Sequence, residues 1–283
     1  MSKLVMLRGL PASGKTTYAL ELVSQGYGRV NRDEIRDMLE EPWSPNLERR
    51  VVSIESSLIS NWIRNGKDVV IDDCNLNPSN EDMWRELAQE EGAEFEVVPI
   101  NTSIQECIWR DERREKKVGK HVIQNMALKY DKVNIANKVV ICDIDGTIAD
   151  IEHRRHHVNK SPKDWKSFFA EMDKDTVRKD VLKMLKEASG EGKQIIFVSA
   201  RPEDYIEVTD KWLQDAVEQA FDYFLIMRKK SDTRDDAVVK REIFQQYLSD
   251  LNIDKVIDDR PKVIRMWRSL GLPVIDVGDG IEF

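Results

Sequence analysis

Short apolar runs alternate along this chain with longer segments in which apolar residues return every three or four positions. In the first half the strand candidates fall at residues 4–7, 28–30, 68–71 and 95–100; in the second the runs fall at 139–142, 195–198, 223–227, 255–257 and 274–277. Such runs, with little internal alternation, predict strands buried on both faces, the habit of parallel sheets covered by helices. Val51, Ile54, Leu58, Trp62 and Ile63 share one helical face with Pro45 near its start, and residues 181–188 and 205–220 repeat the pattern. The alternation predicts an α/β chain of two domains, each a mainly parallel sheet flanked by helices. Residues 104–133, rich in Arg, Lys and Glu, predict a helical flap. The short polar stretch Asn134-Ile135-Ala136-Asn137 sets the boundary between domains 1–135 and 136–283.

The first run leads into Gly9-Leu10-Pro11-Ala12-Ser13-Gly14-Lys15-Thr16, which fits Gly-x-x-x-x-Gly-Lys-Ser/Thr and is followed by a helix-forming segment. In that context Gly9, Ser13, Gly14 and Thr17 belong to a loop whose backbone N–H groups turn onto nucleotide phosphates. Lys15 reaches the β- and γ-phosphates, and the Thr16 hydroxyl ligates magnesium. Open parallel sheets bind ligands beyond the carboxyl ends of their strands, and Asn31-Arg32-Asp33-Glu34-Ile35-Arg36 and Asp72-Asp73-Cys74-Asn75 stand at two such ends. Asp33 is the candidate base for an acceptor hydroxyl, and Arg36, one helical turn on, suits an anionic part of the acceptor. Arg110 and Arg114 have i, i+4 spacing in the flap and are expected to close over the phosphates as a lid.

In the second half Asp143-Ile144-Asp145-Gly146-Thr147 follows an apolar run. Two carboxylates two residues apart at a strand end project to one side, one to attack phosphorus and the other to manage the leaving group's proton. A carboxylate attacking a phosphate monoester meets like-charge repulsion, which bound Mg²⁺ must offset. Ser199 and Arg201 come immediately after the run at 195–198, and Asp258, Asp259 and Arg260 after the run at 255–257. Trp165, Phe168 and Phe169 have the spacing of a core face and stay outside the predicted site.

With 283 residues and 41% hydrophobic content, each domain has material for its own core. A formal net charge of −8 excludes a protein that coats nucleic acid by bulk electrostatics, and leaves room for a local basic groove. The lack of a run near the length of a membrane span predicts no membrane partner, and the immediate entry into a strand predicts no targeting segment. Cys74, Cys107 and Cys142 form no Cys-x-x-Cys pair, which disfavours a disulfide framework or a zinc site and suits a reducing cytoplasm. His153, His156 and His157 lack conventional ligand spacing and read as solvated or as a basic substrate contact.

The order Gly-x-x-x-x-Gly-Lys-Thr, Asn-Arg-Asp-x-x-Arg, Asp-x-Asn-x-Asn-Pro, an arginine lid and Asp-x-Asp-Gly-Thr resembles the phage-type 5′-polynucleotide kinase/3′-phosphatases over nearly the whole chain. The resemblance implies a P-loop kinase fold followed by a haloacid dehalogenase-like fold with a small cap. It implies Asp33 as base for the 5′-hydroxyl, Arg36 on the phosphate 3′ to the attacked nucleoside, and Arg110 and Arg114 on the phosphates of ATP. Asp73 and Asn75 are expected to order the acceptor or the magnesium shell. In the second half it implies Asp143 as nucleophile, Asp145 as acid/base, Ser199 and Arg201 as phosphate contacts, and Arg154 on the substrate phosphate. Lys240 would steady nucleophile and phosphate, Asp236 aligns with a carboxylate that matters in the family, and Asp143, Asp145, Asp258 and Asp259 would hold Mg²⁺. The chain departs from the phage pattern in a shorter linker and in the cap beyond Arg154. The expected partners are DNA or RNA ends and, functionally, a nucleic-acid ligase, with a homo-oligomer left open. The residues alone also fit a small-molecule kinase fused to a small-molecule phosphatase.

Overall fold

The apolar runs become strands, and the helical patterns pack over both faces of the sheets they form. The structure is a computed structural model that describes residues 1–130, 135 and 138–280; the predicted boundary stretch, Ile135 apart, and the end of the predicted flap lie outside the described residues. The chain divides into two compact units, Met1–Asn134 and Ile135–Phe283.

In the first unit β1 (Lys3–Arg8), β2 (Gly28–Val30), β3 (Val69–Ile71) and β4 (Glu94–Pro99) form a sheet in the order β2-β3-β1-β4. Every pairing is parallel, with Leu4 opposite Val69 and Phe95. Leu4, Met6, Val69 and Ile71 pack on one face against Ile59, Ile63 and Trp84, while Val5, Leu7 and Val70 pack on the other with Ala19. Two buried faces explain why β1 and β3 read as unbroken apolar runs, whereas β4, whose residues are partly or fully exposed, carries charges within its run. The helices are α1 (Lys15–Ser24), α2 (Arg32–Leu39), α3 (Pro45–Arg64), α4 (Pro78–Glu90), α5 (Ile104–Asp111) and α6 (Lys120–Tyr130). Pro45 opens α3, and the Ser44 side chain accepts from Leu47 N as its cap. The predicted flap is α5, a turn and α6.

The second unit holds a parallel sheet of β5 (Val139–Cys142), β8 (Gln194–Pro202), β9 (Tyr223–Arg228), β10 (Ile253–Asp258) and β11 (Val274–Asp276), ordered β11-β10-β5-β8-β9. Between β5 and β8 the chain inserts a two-stranded antiparallel ribbon of β6 (Ala149–Asp150) and β7 (Thr176–Val177), with α7 (Glu152–Arg155) and α8 (Trp165–Ala170) between them. The remaining helices are α9 (Lys179–Gly190), α10 (Ile206–Val217), α11 (Asp236–Ile243) and α12 (Pro261–Ser269). Ser199 and Arg201, expected just past their strand, lie inside β8. Its register shifts between Ser199 and Pro202, and this bulge carries the strand beyond the apolar run.

Candidate active sites

A cleft of about 1360 Å³ opens at the carboxyl ends of the first sheet, lined by Lys15, Thr16, Asp33, Asp73, Arg110 and Arg114 among others. The loop before α1 bends through Gly14, whose φ of +107° favours glycine. A Cβ on Gly9 would come within 2.8 Å of both the Ile100 carbonyl and Ser13 Oγ, so the loop also needs glycine for close approach. Lys15 Nζ donates to the Leu10 carbonyl at 2.7 Å and the Gly9 carbonyl at 3.2 Å. Thr16 and Thr17 occupy the exposed first turn of α1. Arg110 Nη1 donates to the Ser13 carbonyl at 3.1 Å, which sets the lid against this loop.

Arg110 and Arg114 do not share one helical face. Helix α5 stops at Asp111, whose buried carboxylate accepts from Val118 N and Gly119 N at 3.2 and 2.8 Å and pairs with Arg114 Nη2 at 2.5 Å. The turn so formed brings Arg114 to the cleft without the helix.

Asp33 stands exposed in the first turn of α2 and accepts from Arg36 Nη1 at 2.5 Å. Arg36 also forks onto Glu48 at 2.6 and 2.8 Å, and this hydrogen bonding holds the Glu48 carboxyl below the usual range. The arginine expected to meet an acceptor anion is thus already balanced by two carboxylates. Asp73 Oδ1 accepts from Arg32 N at 3.1 Å, which ties the end of β3 to the start of α2. Asn75 is buried and spends its amide on the Leu7 carbonyl at 2.9 Å, so it braces the loop beneath the cleft. Sequence reasoning passed over Asp72. It is buried, pairs with Arg29 at 2.8 Å and hydrogen-bonds Thr16; burial raises its pKa while Arg29 and Thr16 work against the rise. Thr16 and Asp72 together offer oxygen ligands suited to Mg²⁺ beside Lys15.

In the second unit Asp143, Asp258 and Asp259 are buried, and one carboxylate oxygen of each lies within 4.8 Å of the others. Lys240 Nζ bridges two of them, at 2.7 Å from Asp143 and 2.9 Å from Asp258. Trp267 Nε1 donates to Asp258 at 3.1 Å and Thr147 Oγ1 to Asp259 at 3.0 Å. Burial pushes Asp143 up to about 8, with Lys240 opposing and Asp258 and Asp259 adding to the rise; burial and Asp258 push Asp259 up to about 7. Three crowded carboxylates against one ammonium make an oxygen donor set with excess negative charge, which fits a divalent cation. Gly146, at φ +82°, and Gly278 wall Asp259: a Cβ on Gly146 would overlap its carboxylate and a Cβ on Gly278 its main chain. Arg178 Nη1 joins the two walls, donating to the Gly146 carbonyl at 2.8 Å and the Val277 carbonyl at 2.9 Å.

Asp145 does not join that carboxylate group, contrary to its expected place among the metal ligands. Its side chain is held instead by Arg201 Nη2 at 2.6 Å and Arg154 Nη2 at 2.5 Å. Burial works to raise its pKa, but the two guanidiniums outweigh it and hold the carboxyl well below the usual range. Asp175, which nothing in the sequence marked, completes the arrangement: it accepts from Arg154 at 2.6 and 2.5 Å and from Arg201 at 2.9 Å, and all three side chains are buried. Ser199 Oγ accepts from Arg201 N at 3.1 Å, so it fixes the bend that aims Arg201. Asp236 opens α11 and pairs with both Arg228 and Arg260, so this carboxylate serves two arginines of the cleft. His157 faces Glu171 at 3.3 Å, His153 faces the Glu171 carbonyl and His156 the His153 carbonyl. Among the described residues, the group arranged to hold a metal is the aspartate trio.

Residues 137–282 match the family model described as polynucleotide kinase PNKP phosphatase domain, and residues 4–133 match one described as an AAA domain. A protein of Autographa californica nuclear polyhedrosis virus that bears the name bifunctional polynucleotide kinase/RNA ligase is 30% identical over 305 residues, covering 96% of this chain. The match takes in 42% of that relative, so the chain spans less than half its length. Among solved structures, a chain of the Pnkp1/Rnl/Hen1 RNA repair complex is 27% identical, covers 99% of this chain and 97% of its own, and has a TM-score of 0.44. A haloacid dehalogenase-like family hydrolase of Streptococcus pneumoniae is 15% identical over 52% of this chain and 88% of its own, at a TM-score of 0.35.

Proposed function

The chain belongs to the polynucleotide kinase PNKP phosphatase-domain family, and on that premise we propose that it heals nucleic-acid ends: its N-terminal unit phosphorylates 5′-hydroxyls with ATP, and its C-terminal unit removes 3′-phosphates. The observation that carries this reading is convergence. Lys15 and Asp33 line one cleft, while Asp143, Lys240, Asp258 and Asp259 meet in another unit.

In the kinase, Asp33 takes the proton of the 5′-hydroxyl as its oxygen attacks the γ-phosphorus of ATP, and Arg36 orients the acceptor strand. Lys15, Arg110 and Arg114 bind the donor's phosphates, and departure of ADP leaves a 5′-phosphate. In the phosphatase, a carboxylate oxygen of Asp143 attacks phosphorus, the bond from phosphorus to the 3′-oxygen breaks, and Asp145 gives that oxygen a proton. Water then hydrolyses the aspartyl phosphate. Asp145 must carry a proton to do this, although two arginines favour its ionised form. A phosphate monoester that draws on Arg154 and Arg201 weakens that hold. Magnesium held by Thr16 and Asp72 in the first cleft, and by Asp143, Asp258 and Asp259 in the second, would supply charge screening for the attacking oxygens. The products, 5′-phosphate and 3′-hydroxyl, are the ends a ligase joins, so a ligase acts next. Cys74, Cys107 and Cys142 stand as thiols, which suits work in a reducing cytoplasm, and no helix among the described residues is long and apolar enough to cross a membrane.

The test is to map both ends of a short oligonucleotide bearing a 5′-hydroxyl and a 3′-phosphate after incubation with the protein, ATP and Mg²⁺. Conversion of both ends is expected. Preference for a free nucleoside over the oligonucleotide would replace the polynucleotide substrate with a small molecule.

A further inference from the structure

Trp165 breaks the pattern that its spacing suggests. Of the three aromatics that open and fill α8, Phe168 is 2% exposed and belongs to the core, whereas Trp165 is 41% exposed. Its indole lines the same cleft of about 430 Å³ that holds Asp143, Asp145, Arg201 and Lys240. The ring is fixed from behind: it stacks on Phe169 with centroids 6.0 Å apart and planes 23° apart, and Phe169 leans on Tyr205 at 5.1 Å. Phe168 meets Trp165 edge-on at 5.7 Å and carries the Arg154 guanidinium over its own ring at 4.1 Å, which connects the aromatic wall to the pair of arginines around Asp145. Asp164 caps the helix by accepting from Ser167 N at 3.0 Å, and Lys163 holds its ammonium over the indole, 5.5 Å from the ring centroid. A rigid aromatic ring covered only by a movable lysine cation, at the mouth of a cleft proposed to take a phosphate ester, has the composition of sites that hold single nucleotides by stacking.

Building on the phosphatase reading above, we propose that Trp165 is the stacking platform for the nucleobase of the nucleotide whose 3′-phosphate is removed. Asp143 and Arg201 address the phosphate, the Lys163 ammonium leaves the indole for the preceding backbone phosphate, and the indole takes the flat face of the attached base. Stacking accepts any base because each has a π face, so the platform selects for the presence of a base rather than its identity. It also requires an unpaired end, because a base paired in a duplex is covered by its neighbours.

The test compares release of phosphate from two oligonucleotides alike except at the last residue, one ending in an ordinary 3′-phosphorylated nucleotide and the other in a 3′-phosphorylated abasic residue. The wild-type protein is expected to favour the nucleobase end about tenfold in kcat/KM, mainly through KM, a ratio of the size that one base on one aromatic ring supplies. Trp165→Phe keeps most of the preference, and Trp165→Ala brings the nucleobase end down to the abasic rate. Equal wild-type rates on the two ends, or a preference that survives in Trp165→Ala, overturn the platform and leave the phosphatase standing. The wild-type ratio decides alone if the alanine variant does not fold. Failure to release phosphate from either end would instead overturn the phosphatase reading itself.

Discussion

Glu55 is fully buried in the apolar stripe of α3, one turn from Val51 and one from Ile59. A carboxylate at such a position is costly unless partnered. Arg32 Nε donates to it at 2.7 Å, and it hydrogen-bonds Asp73, which in turn accepts from the main chain of Arg32, the residue before Asp33. The buried group thereby sets the start of the helix that carries the proposed base. Burial and the Asp73 charge push Glu55 from the usual 4.5 up to about 8, with Arg32 opposing. The folded state therefore keeps a proton that the unfolded chain has already lost, and stability present below pH 4.5 drains away as pH rises through about 8. Thermal unfolding across that window should show the wild type losing ground to Glu55→Gln by an amount on the order of a few kcal/mol. Parallel profiles for the two proteins would refute the proton retained on Glu55. Asp175 plays the corresponding part in the second unit, where its carboxylate keeps two buried arginines together.

At the scale of elements, the lid owes its shape to one side chain. Asp111 ends α5, satisfies two main-chain donors of the following turn and pairs with Arg114, so its loss should loosen the lid while leaving α5 on the core through Ile104 and Cys107. Asp111→Ala is expected to raise the KM for ATP roughly tenfold, the scale of one or two charge-assisted hydrogen bonds, with little change in phosphatase rate. An unchanged KM would show that Arg114 reaches the cleft without help. The strands of both sheets were legible because burial on two faces leaves an unbroken apolar signature, as at Val69–Ile71 and Val139–Cys142. Asp143 was legible for the same reason, since it is located by the end of an apolar run. The bulge in β8 and the ribbon of β6 and β7 were not, because two-residue strands and a register shift leave no periodicity to read. Asp72, Asp175 and Glu55 escaped notice on different grounds: a charged residue that will be buried looks the same in sequence as one that will face water. Trp165 misled in the opposite sense, with core spacing and an exposed ring.

Each unit of the molecule has its own sheet and core, and each cleft is lined from its own unit. Asp33→Asn should therefore abolish kinase activity and spare the phosphatase, and Asp143→Asn should do the reverse, with both activities followed on the same oligonucleotide. Loss of both activities in either folded variant would sink the two-site description. The chain as a whole carries a formal charge of −8 and the substrate proposed for it is a polyanion, so attraction would have to come from a few arginines and lysines gathered at each cleft. The seat of Asp259 is built more tightly than those cations are held. With Gly146 against its carboxylate, Gly278 against its main chain and Arg178 bracing both loops, less than a methyl group's clearance is left on those two sides. A side chain at Gly146 or Gly278 would have to displace that single acid or the backbone that carries it, so two stretches of bare backbone fix where the acid stands.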